Sequence, residues 1–419
     1  MIPPALSPVS VSGPPSSLET ASPKAGSAAR FWTLLFAKIC IALLVLIPKG
    51  GFKLGPAPIT WSYLMLGGCS VLCLIAFTMG GRLVLPKRRV MALLLTIPLG
   101  CVTIGGFLAN GAGSPAYFVG FLIASFILPL LLVFFIGYYF DRSEDLPELL
   151  HFMKNCIFVV ACYWIVLFTF FSVTKRTFEI PFVTTNGSEE KAVEQKHNLR
   201  GDVMKLVATY NNGNIYGVST LILFPLFRIL ERRTWRLMVV RIALLLTLSR
   251  TVWLGLFLAE FFYIVFQTPV TAKRAVGFLA IIGLAVGGVA GVMAFLGKNI
   301  TWIFDSRLGG RRKQFEVLND PTFFPSLPFS GTGEMTYLGV INELGVAGLL
   351  SFLVLLAAPL LALVQKGGLN RVQTAALCGC MIYWCVAFLD GAYVLIPVMA
   401  FFWMATSLAI CNNPALADV

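Results

Sequence analysis

Apolar runs recur along the chain from residue 31 to residue 411, and short polar segments separate them. Most runs have about the 20 residues with which an α-helix crosses the hydrocarbon core of a bilayer. A transmembrane β-barrel would instead alternate apolar and polar positions over segments of about 10 residues. The pattern therefore predicts an all-α, polytopic integral membrane protein with about twelve transmembrane helices. They are expected at about 31–48, 61–80, 90–109, 116–139, 149–173, 207–227, 236–248, 250–267, 275–297, 336–364, 372–389 and 392–411.

Residues 1–29 differ from the rest of the chain because they are rich in Pro, Ser and Ala and carry almost no bulky apolar side chains. Such a segment cannot bury a core, so it is predicted to be a disordered tail. The apolar run that starts at Phe31 is followed by no small-residue cleavage site, so it is predicted to be a retained helix. Residues 30–412 are then a single transmembrane domain with two long loops, at about 174–206 and 298–335.

The composition narrows the class of protein further. The chain is 58% hydrophobic and 12% charged, about half the charged share of a soluble domain, which excludes a soluble enzyme and a DNA-binding domain. The net charge of +13 lies in loops between apolar runs, which favours membrane lipids or an anionic lipid-linked substrate over nucleic acid. The cysteines lie in or at the ends of apolar runs. Cys378, Cys380 and Cys385 lack a His partner and zinc-site spacing, so no metal site is predicted.

The distribution of Lys and Arg predicts the orientation of the helices, since cytoplasmic loops carry an excess of both. With twelve helices and a cytoplasmic N-terminus, almost all short-loop basic residues fall on the cytoplasmic side, and only Lys49, Lys53 and Arg250 fall on the other. Both termini are therefore predicted to be cytoplasmic. The two long loops fall on the outer side and are themselves basic, which an anionic substrate at the outer face would explain.

Two polar sites lie at the ends of predicted helices on the outer side. Asn211 and Asn214 belong to an Asn- and Gly-rich start of the helix at 207–227, where amide groups can bind hydroxyl-rich ligands. Arg250 lies inside an apolar stretch, where exposure to lipid would cost at least about 2.5–3.5 kcal/mol. A guanidinium at such a place suits a polar cavity or a phosphate. Glu260, further along the same helix, is interpreted as a buried structural partner.

The second long loop carries two further candidate sites. Gly309 and Gly310 precede Arg311 and Arg312, and two neighbouring Arg residues suit a diphosphate. Downstream, a Gly-x-Gly turn at 331–333 leads into the helix at 336–364, with Glu334 at its mouth. No GKS or GKT follows this turn, so it is not a nucleotide-binding P-loop.

The order of these segments resembles the O-antigen polymerase and O-antigen ligase superfamily of bacterial envelopes, over about residues 205–355. The segments are NNGN, SRTVWLGL, GGRRKQF and, after a GTG turn and YL, NELGVAGLL. Members of that superfamily are membrane glycosyltransferases of the GT-C type with twelve or so helices. The family's Arg followed four residues later by Leu corresponds to Arg250 and Leu254. Its Gly-Arg pair, with an aromatic residue four positions after the Arg, corresponds to Gly310, Arg311 and Phe315, where Trp is more usual. Its Gly-x-Gly and Glu-apolar-Gly motifs correspond to Gly331 with Gly333 and to Glu343, Leu344 and Gly345.

One departure from the family pattern bears on the activity. Ligases of this superfamily carry a His-Asn pair between the Gly-x-Gly turn and the Tyr-Leu pair, whereas this chain has Glu334, Met335 and Thr336 there. The departure argues against a lipid-A-core ligase and for a repeat-unit polymerase.

The resemblance implies that a glycan chain on undecaprenyl diphosphate is transferred to a sugar hydroxyl of another lipid-linked repeat unit. This reaction would need no metal or cofactor, since Arg250 and Arg311 can stabilise the departing diphosphate. Glu334 and His197 are the candidate bases for the acceptor hydroxyl. The further predicted substrate-binding residues are Arg200, Asn211, Asn214, Arg312 and Tyr337.

The implied location is the bacterial inner membrane, with the active site facing the periplasm. The implied partners are the lipid-linked oligosaccharide, membrane lipids and, in addition, a chain-length regulator and a flippase. Three alternatives stay open: an O-antigen ligase with another acceptor, a flippase or transporter of lipid-linked sugars, and a non-catalytic scaffold of an exopolysaccharide machine.

The predicted orientation can be tested by cysteine labelling at Ser188 and Asn319, one in each long loop, in a cysteine-depleted background. We expect an impermeant thiol reagent to label both positions from the outer face of the inner membrane. Labelling that requires permeabilisation of the inner membrane would overturn the orientation.

Overall fold

The computed structural model describes residues 27–54, 57–79, 86–174, 176, 180–184, 199–200, 203–204, 208–210, 212–267, 314–331, 333–364 and 368–416. These residues are mainly helical, with two short antiparallel hairpins. The strands are β1 (Gly51–Leu54), β2 (Ala57–Thr60), β3 (Leu199–Arg200) and β4 (Val203–Met204). The helices are α1 (Ser27–Leu46), α2 (Trp61–Met79), α3 (Lys87–Leu94), α4 (Ile97–Asn110), α5 (Pro115–Leu122), α6 (Gly137–Arg142), α7 (Leu146–Thr174), α8 (Gly213–Leu230), α9 (Thr234–Leu246), α10 (Arg250–Gln267), α11 (Thr336–Leu356), α12 (Arg371–Asp390) and α13 (Ile396–Ala409).

Several of these helices are long and apolar enough to cross a membrane, which confirms the prediction of a helical, membrane-embedded protein. Among the described residues, six segments meet that description by length and composition. The predicted count of twelve is not reproduced by these six, and the predicted helix at 275–297 lies outside the described residues. The six segments are Lys87–Asn110, Pro115–Arg142, Leu146–Thr174, Gly213–Leu230, Thr336–Leu356 and Arg371–Asp390.

Three predicted boundaries move for identifiable reasons. Helix α1 begins at Ser27, inside the segment predicted as a tail, while residues 1–26 lie outside the described residues. Helix α8 begins at Gly213 rather than near 207, because the Asn212 side chain caps it by accepting from the backbone N–H of Asn214 at 2.9 Å. Helix α11 ends at Leu356 and a 3₁₀ helix follows over Ala358–Val364. Pro359 lies in this segment, and its ring disfavours α-helical backbone in the residue before it.

Helix α8 is the central element of the core, since almost every residue from Gly213 to Phe227 is buried. It packs closely against α10 and α12 because glycines stand at the contacts. Gly217 faces Val252 of α10, and Gly379 of α12 faces the backbone of Ile222, so that neither glycine has room for a Cβ atom. Small residues of this kind let helix backbones approach each other in membrane proteins.

The segment Pro115–Arg142 is one continuous helical rod with a change of winding in its middle. Helix α5 passes into π-helical turns over Ile123–Ile127 and Pro129–Ile136 before α6. Pro129 lacks the N–H that an α-helical ladder would use there, which favours a local change in the hydrogen-bond pattern.

A buried ion pair joins the end of this rod to α3. The Arg89 guanidinium donates through Nε and Nη2 to the two Asp141 carboxylate oxygens, at 2.6 and 2.7 Å. Its Nη1 donates to the carbonyl of Val133 and the hydroxyl of Ser407 in α13, at 2.8 and 3.0 Å. Arg89 is only 1% exposed, and a bidentate pair with these extra partners satisfies a charge that burial would otherwise penalise.

A second ionic network lies at the C-terminal end of α8. Arg241 of α9 donates to Glu260 of α10 at 2.6 and 2.8 Å, and Arg228 of α8 also pairs with Glu260. Glu231 lies beside this group and pairs with Arg236 at 2.8 Å. Glu260 is 3% exposed, so it is the buried partner that its place in an apolar helix suggested.

Candidate functional site

A cluster of polar residues forms at the other end of α8, where several helices begin or end. Asn214, in the first turn of α8, donates from Nδ2 to the carboxylate of Asp390, the last residue of α12, at 2.6 Å. Asp390 is 5% exposed. A hydrogen bond to a buried carboxylate contributes more than a neutral one, so this contact fixes the ends of α8 and α12 to each other.

Arg250 begins helix α10 at the same level of the bundle. One layer of contacts joins the three helices, because Gly255 of α10 faces Leu221 of α8 and Val386 of α12. Arg250 lies five residues before Gly255, Asn214 lies seven before Leu221, and Asp390 lies four after Val386. At about 1.5 Å per residue, these separations are about 6–11 Å along the helix axes. All three lie on the same side of that layer, so the first residue of α10 lies at about the same depth in the bundle as the Asn214–Asp390 contact.

Glu334 reaches the same region through its backbone. Its carbonyl accepts from the N–H of Gly391, the residue after Asp390, at 3.1 Å, while its side chain lies in an exposed bend. The neighbouring Met335 N–H donates to the side-chain oxygen of Gln314 at 3.1 Å. We call Asn214, Arg250, Glu334 and Asp390 the helix-end cluster. It has one solvent-exposed carboxylate and one buried carboxylate.

The start of α11 closes one side of the cluster. Thr336 is fully buried against Gly391, and its hydroxyl and the side-chain oxygen of Asn214 are both buried without a hydrogen-bond partner in the structure. Tyr337 is buried, donates to the Trp384 carbonyl at 2.9 Å and packs against Phe388. Its hydroxyl is thus already bonded within the protein, and its predicted role in substrate binding stays a prediction.

The motif around Glu343 and Gly345 shapes the loop before α11. Buried Glu343 accepts from the Ser330 N–H at 2.6 Å and from the Ser330 hydroxyl at 2.7 Å. Gly345 breaks α11 with φ of 71°, which side chains disfavour, and a Cβ there would lie 2.6 Å from the Phe323 carbonyl oxygen. These residues therefore hold the loop and, with it, the Gly331–Gly333 turn that leads to Glu334.

The structure brings together some of the predicted site residues and leaves others undescribed. Asn214, Arg250 and Glu334 lie at the same end of the bundle, in the helix-end cluster, and Tyr337 follows Glu334 at the start of α11. The backbone of Arg200 lies in the β3–β4 hairpin, and its side chain is not among those described. His197, Asn211, Arg311 and Arg312 lie outside the described residues.

Asp390 is the site residue that the sequence interpretation missed. The signal was present, because Asp390 is a carboxylate at the end of an apolar helix, directly before a glycine. Ionisable residues in such places are costly and face the protein interior or a polar cavity. Nothing in the sequence linked Asp390 to Asn214, which lies 176 residues away.

The arrangement supplies groups for binding and for proton transfer. The Asn214 amide is of a type that binds hydroxyl groups, and the exposed Glu334 carboxylate can accept a proton. In the part of the chain that the structure describes, no three His, Cys, Asp or Glu residues are grouped to hold a metal ion.

Comparison of the chain with profiles of protein families, with curated proteins and with solved structures found no match.

The contact between Asn214 and Asp390 generates a stability prediction. Asn214→Ala removes a donor to a buried carboxylate and should destabilise the protein by about 1.5–3 kcal/mol. Thermal unfolding in detergent measures the effect. The matched control in the same helix is Ser219→Ala, because the Ser219 hydroxyl is buried without a hydrogen-bond partner in the structure. An equal loss of stability in both variants would contradict a specific role for the contact.

Proposed function

We propose that this protein is a polysaccharide polymerase that joins oligosaccharide repeat units carried on undecaprenyl diphosphate at the outer face of the bacterial inner membrane. The helix-end cluster is the observation that carries the proposal. It supplies an exposed carboxylate, an amide and a guanidinium at one end of the bundle. The family resemblance adds the substrate class and a GT-C-like architecture with further helices.

The diphosphate would be bound by arginines from two parts of the chain. Arg250 is fixed by the packing of α10 against α8 and α12. The second, Arg311, precedes Gln314 by three residues in the sequence, and Gln314 bonds to Met335 beside Glu334. Guanidinium groups make charge-assisted hydrogen bonds to phosphate oxygens, and they would stabilise the charge that develops as the sugar–phosphate bond breaks.

Glu334 is the better placed of the cluster's two carboxylates to act as the base. Its side chain is exposed at the mouth of α11, where an acceptor sugar has access. Asp390 is buried and bonded to Asn214, so we assign it to positioning that amide for substrate hydroxyl groups. In this reaction Glu334 takes the proton of the acceptor hydroxyl, whose oxygen bonds to the sugar carbon as lipid diphosphate leaves.

The proposal is tested by incubating the purified protein in vesicles with lipid-linked repeat units. Longer lipid-linked chains support a polymerase. Unchanged units would overturn the polymerase reading: their movement across the bilayer would then indicate a flippase, and transfer to an added non-repeat acceptor would indicate a ligase.

The proton-transfer role predicts different outcomes for the two carboxylates. Glu334→Gln should abolish polymer while lipid-linked substrate still binds, because the amide cannot accept a proton. Asp390→Asn should retain part of the activity, since the new side-chain oxygen can still accept from Asn214. Polymer yield and substrate binding are measured at matched expression, with His197→Ala expected to be mild. The exposed Glu316 provides a control, Glu316→Gln, that should leave the yield unchanged. A fully active Glu334→Gln protein would remove Glu334 from the mechanism.

The diphosphate clamp predicts that lysine cannot replace arginine. Arg250→Lys and Arg311→Lys should each lose transition-state stabilisation of a few kcal/mol, because an ammonium group lacks the planar fork of a guanidinium. Arg312→Ala should have a smaller effect, since we expect its side chain to point elsewhere. Polymer length and yield are the readouts. Full-length polymer from both lysine variants would disprove the clamp.

A further inference from the structure

The loop before α11 supplies hydrogen-bond acceptors to α11 at the point where that helix is broken. Because Gly345 interrupts α11, the N–H groups of Val346 and Ala347 lose their helical partners. They donate instead to the carbonyls of Thr322 and Phe323, at 3.0 and 2.9 Å. Two loop residues therefore supply acceptors to the start of the second half of α11, and this fixes the height of the loop beside that helix.

The same loop is also fixed against α4. Pro325 packs on Gly106, where a Cβ atom would lie 2.8 Å from the proline ring, and its carbonyl accepts from the Asn110 side chain at 3.0 Å. Further along, Phe329 and Gly111 are joined by a backbone hydrogen bond of 3.3 Å. The loop thus lies between α4 and α11, both of which belong to candidate membrane spans.

These contacts place the loop inside the ends of both spans. Gly106 lies four residues before the end of α4, which is about 6 Å along a helix axis. Gly345 lies nine residues after the start of α11, which is about 14 Å along its axis. A segment that contacts these two positions has descended more than one helical turn toward the middle of the spans.

The composition and side-chain exposure of the loop fit a membrane interface rather than bulk water. No charged residue occurs between Asp320 and Glu334. Phe323, Phe324 and Leu327 are 58%, 65% and 59% exposed, although they are large and apolar. Leu327 lines a small cavity together with Phe107 of α4, which is itself 43% exposed.

The structure shows protein partners for the carbonyls of Thr322, Phe323 and Pro325. The exposed remainder of the loop backbone needs water, because a lipid-exposed irregular segment does not occur in the hydrocarbon core. Aromatic side chains at the level of the headgroups meet both demands.

We propose that residues 321–329 form a membrane-contacting loop at the bilayer interface, where the exposed side chains Phe323, Phe324 and Leu327 insert among the lipids. The Gly345 break and the Glu343–Ser330 hydrogen bonds anchor it. This inference does not depend on the proposed reaction. It fixes the end of the basic outer loop at the membrane, next to the turn that leads to Glu334.

Nitroxide labels on single cysteines in the full-length protein, reconstituted in phosphatidylcholine–phosphatidylglycerol vesicles, report the depth of the loop. The variants are Phe323→Cys, Phe324→Cys and Leu327→Cys, with the ten native cysteines replaced by alanine. We expect oxygen to reach these labels several-fold better than a water-soluble nickel chelate does. The controls Glu316→Cys and Asp320→Cys should show the reverse preference. Nickel access at Phe324 equal to that at Asp320 would place the loop in water and overturn the proposal.

A second measurement keeps all native cysteines, in case their replacement prevents folding. A benzophenone amino acid replaces Phe324 or, as the control, Glu316, in the same vesicles. Illumination should give lipid adducts at position 324 and few at position 316, as detected by mass spectrometry. Equal lipid adducts at both positions, or none at 324, would contradict insertion.

The anchor itself is tested with Gly345→Ala. The added Cβ would displace the Phe323 carbonyl, so the label at Phe324 should become several-fold more accessible to the nickel chelate. The matched control is Gly105→Ala in α4, where a Cβ meets no atom within 4 Å. An unchanged depth in folded Gly345→Ala protein would show that the break does not hold the loop.

Discussion

Backbone hydrogen bonding at the break in α11 is the constraint on which the described architecture of this region depends. A helix that stops and restarts inside a membrane span leaves N–H groups that water cannot satisfy there. The carbonyls of Thr322 and Phe323 supply the missing acceptors at Val346 and Ala347. The loop, the broken helix and the neighbouring α4 therefore form one unit, and the position of the Gly331–Gly333 turn follows from it.

Polar residues lie at both ends of the central helix α8, and the two groups differ in how exposed their carboxylates are. At its C-terminal end, Arg228 joins Arg241 and Glu260 in an ion-pair network within the core. At its N-terminal end, Asn214 meets Asp390 beside the exposed Glu334. In the first network the buried Glu260 carboxylate pairs with two guanidinium groups. The second end differs because it carries an exposed carboxylate, Glu334, as well as a buried one, Asp390.

The proposed chemistry uses this difference between the two ends. A diphosphate leaving group needs fixed cationic donors, and the close packing around Gly217 and Gly255 gives Arg250 a rigid base. An acceptor sugar needs an accessible carboxylate, and Glu334 lies in a bend outside the helices. The buried Asp390 instead orients Asn214. The cluster thus assigns separate tasks to residues that are similar in type but different in exposure.

The sequence by itself determined that the protein is helical and embedded in a membrane, because long apolar runs leave no other way to satisfy the backbone. It also indicated Asn214, Arg250 and Glu334 as candidates, since polar groups at the ends of apolar helices need a reason to be there. Only the tertiary structure showed that Asp390 bonds to Asn214, that the Glu334 backbone bonds to Gly391 beside them and that Gly345 breaks α11. The physical reason is that each of these features is a contact between segments distant in sequence. A local pattern specifies which residues form a helix but not which helix ends meet.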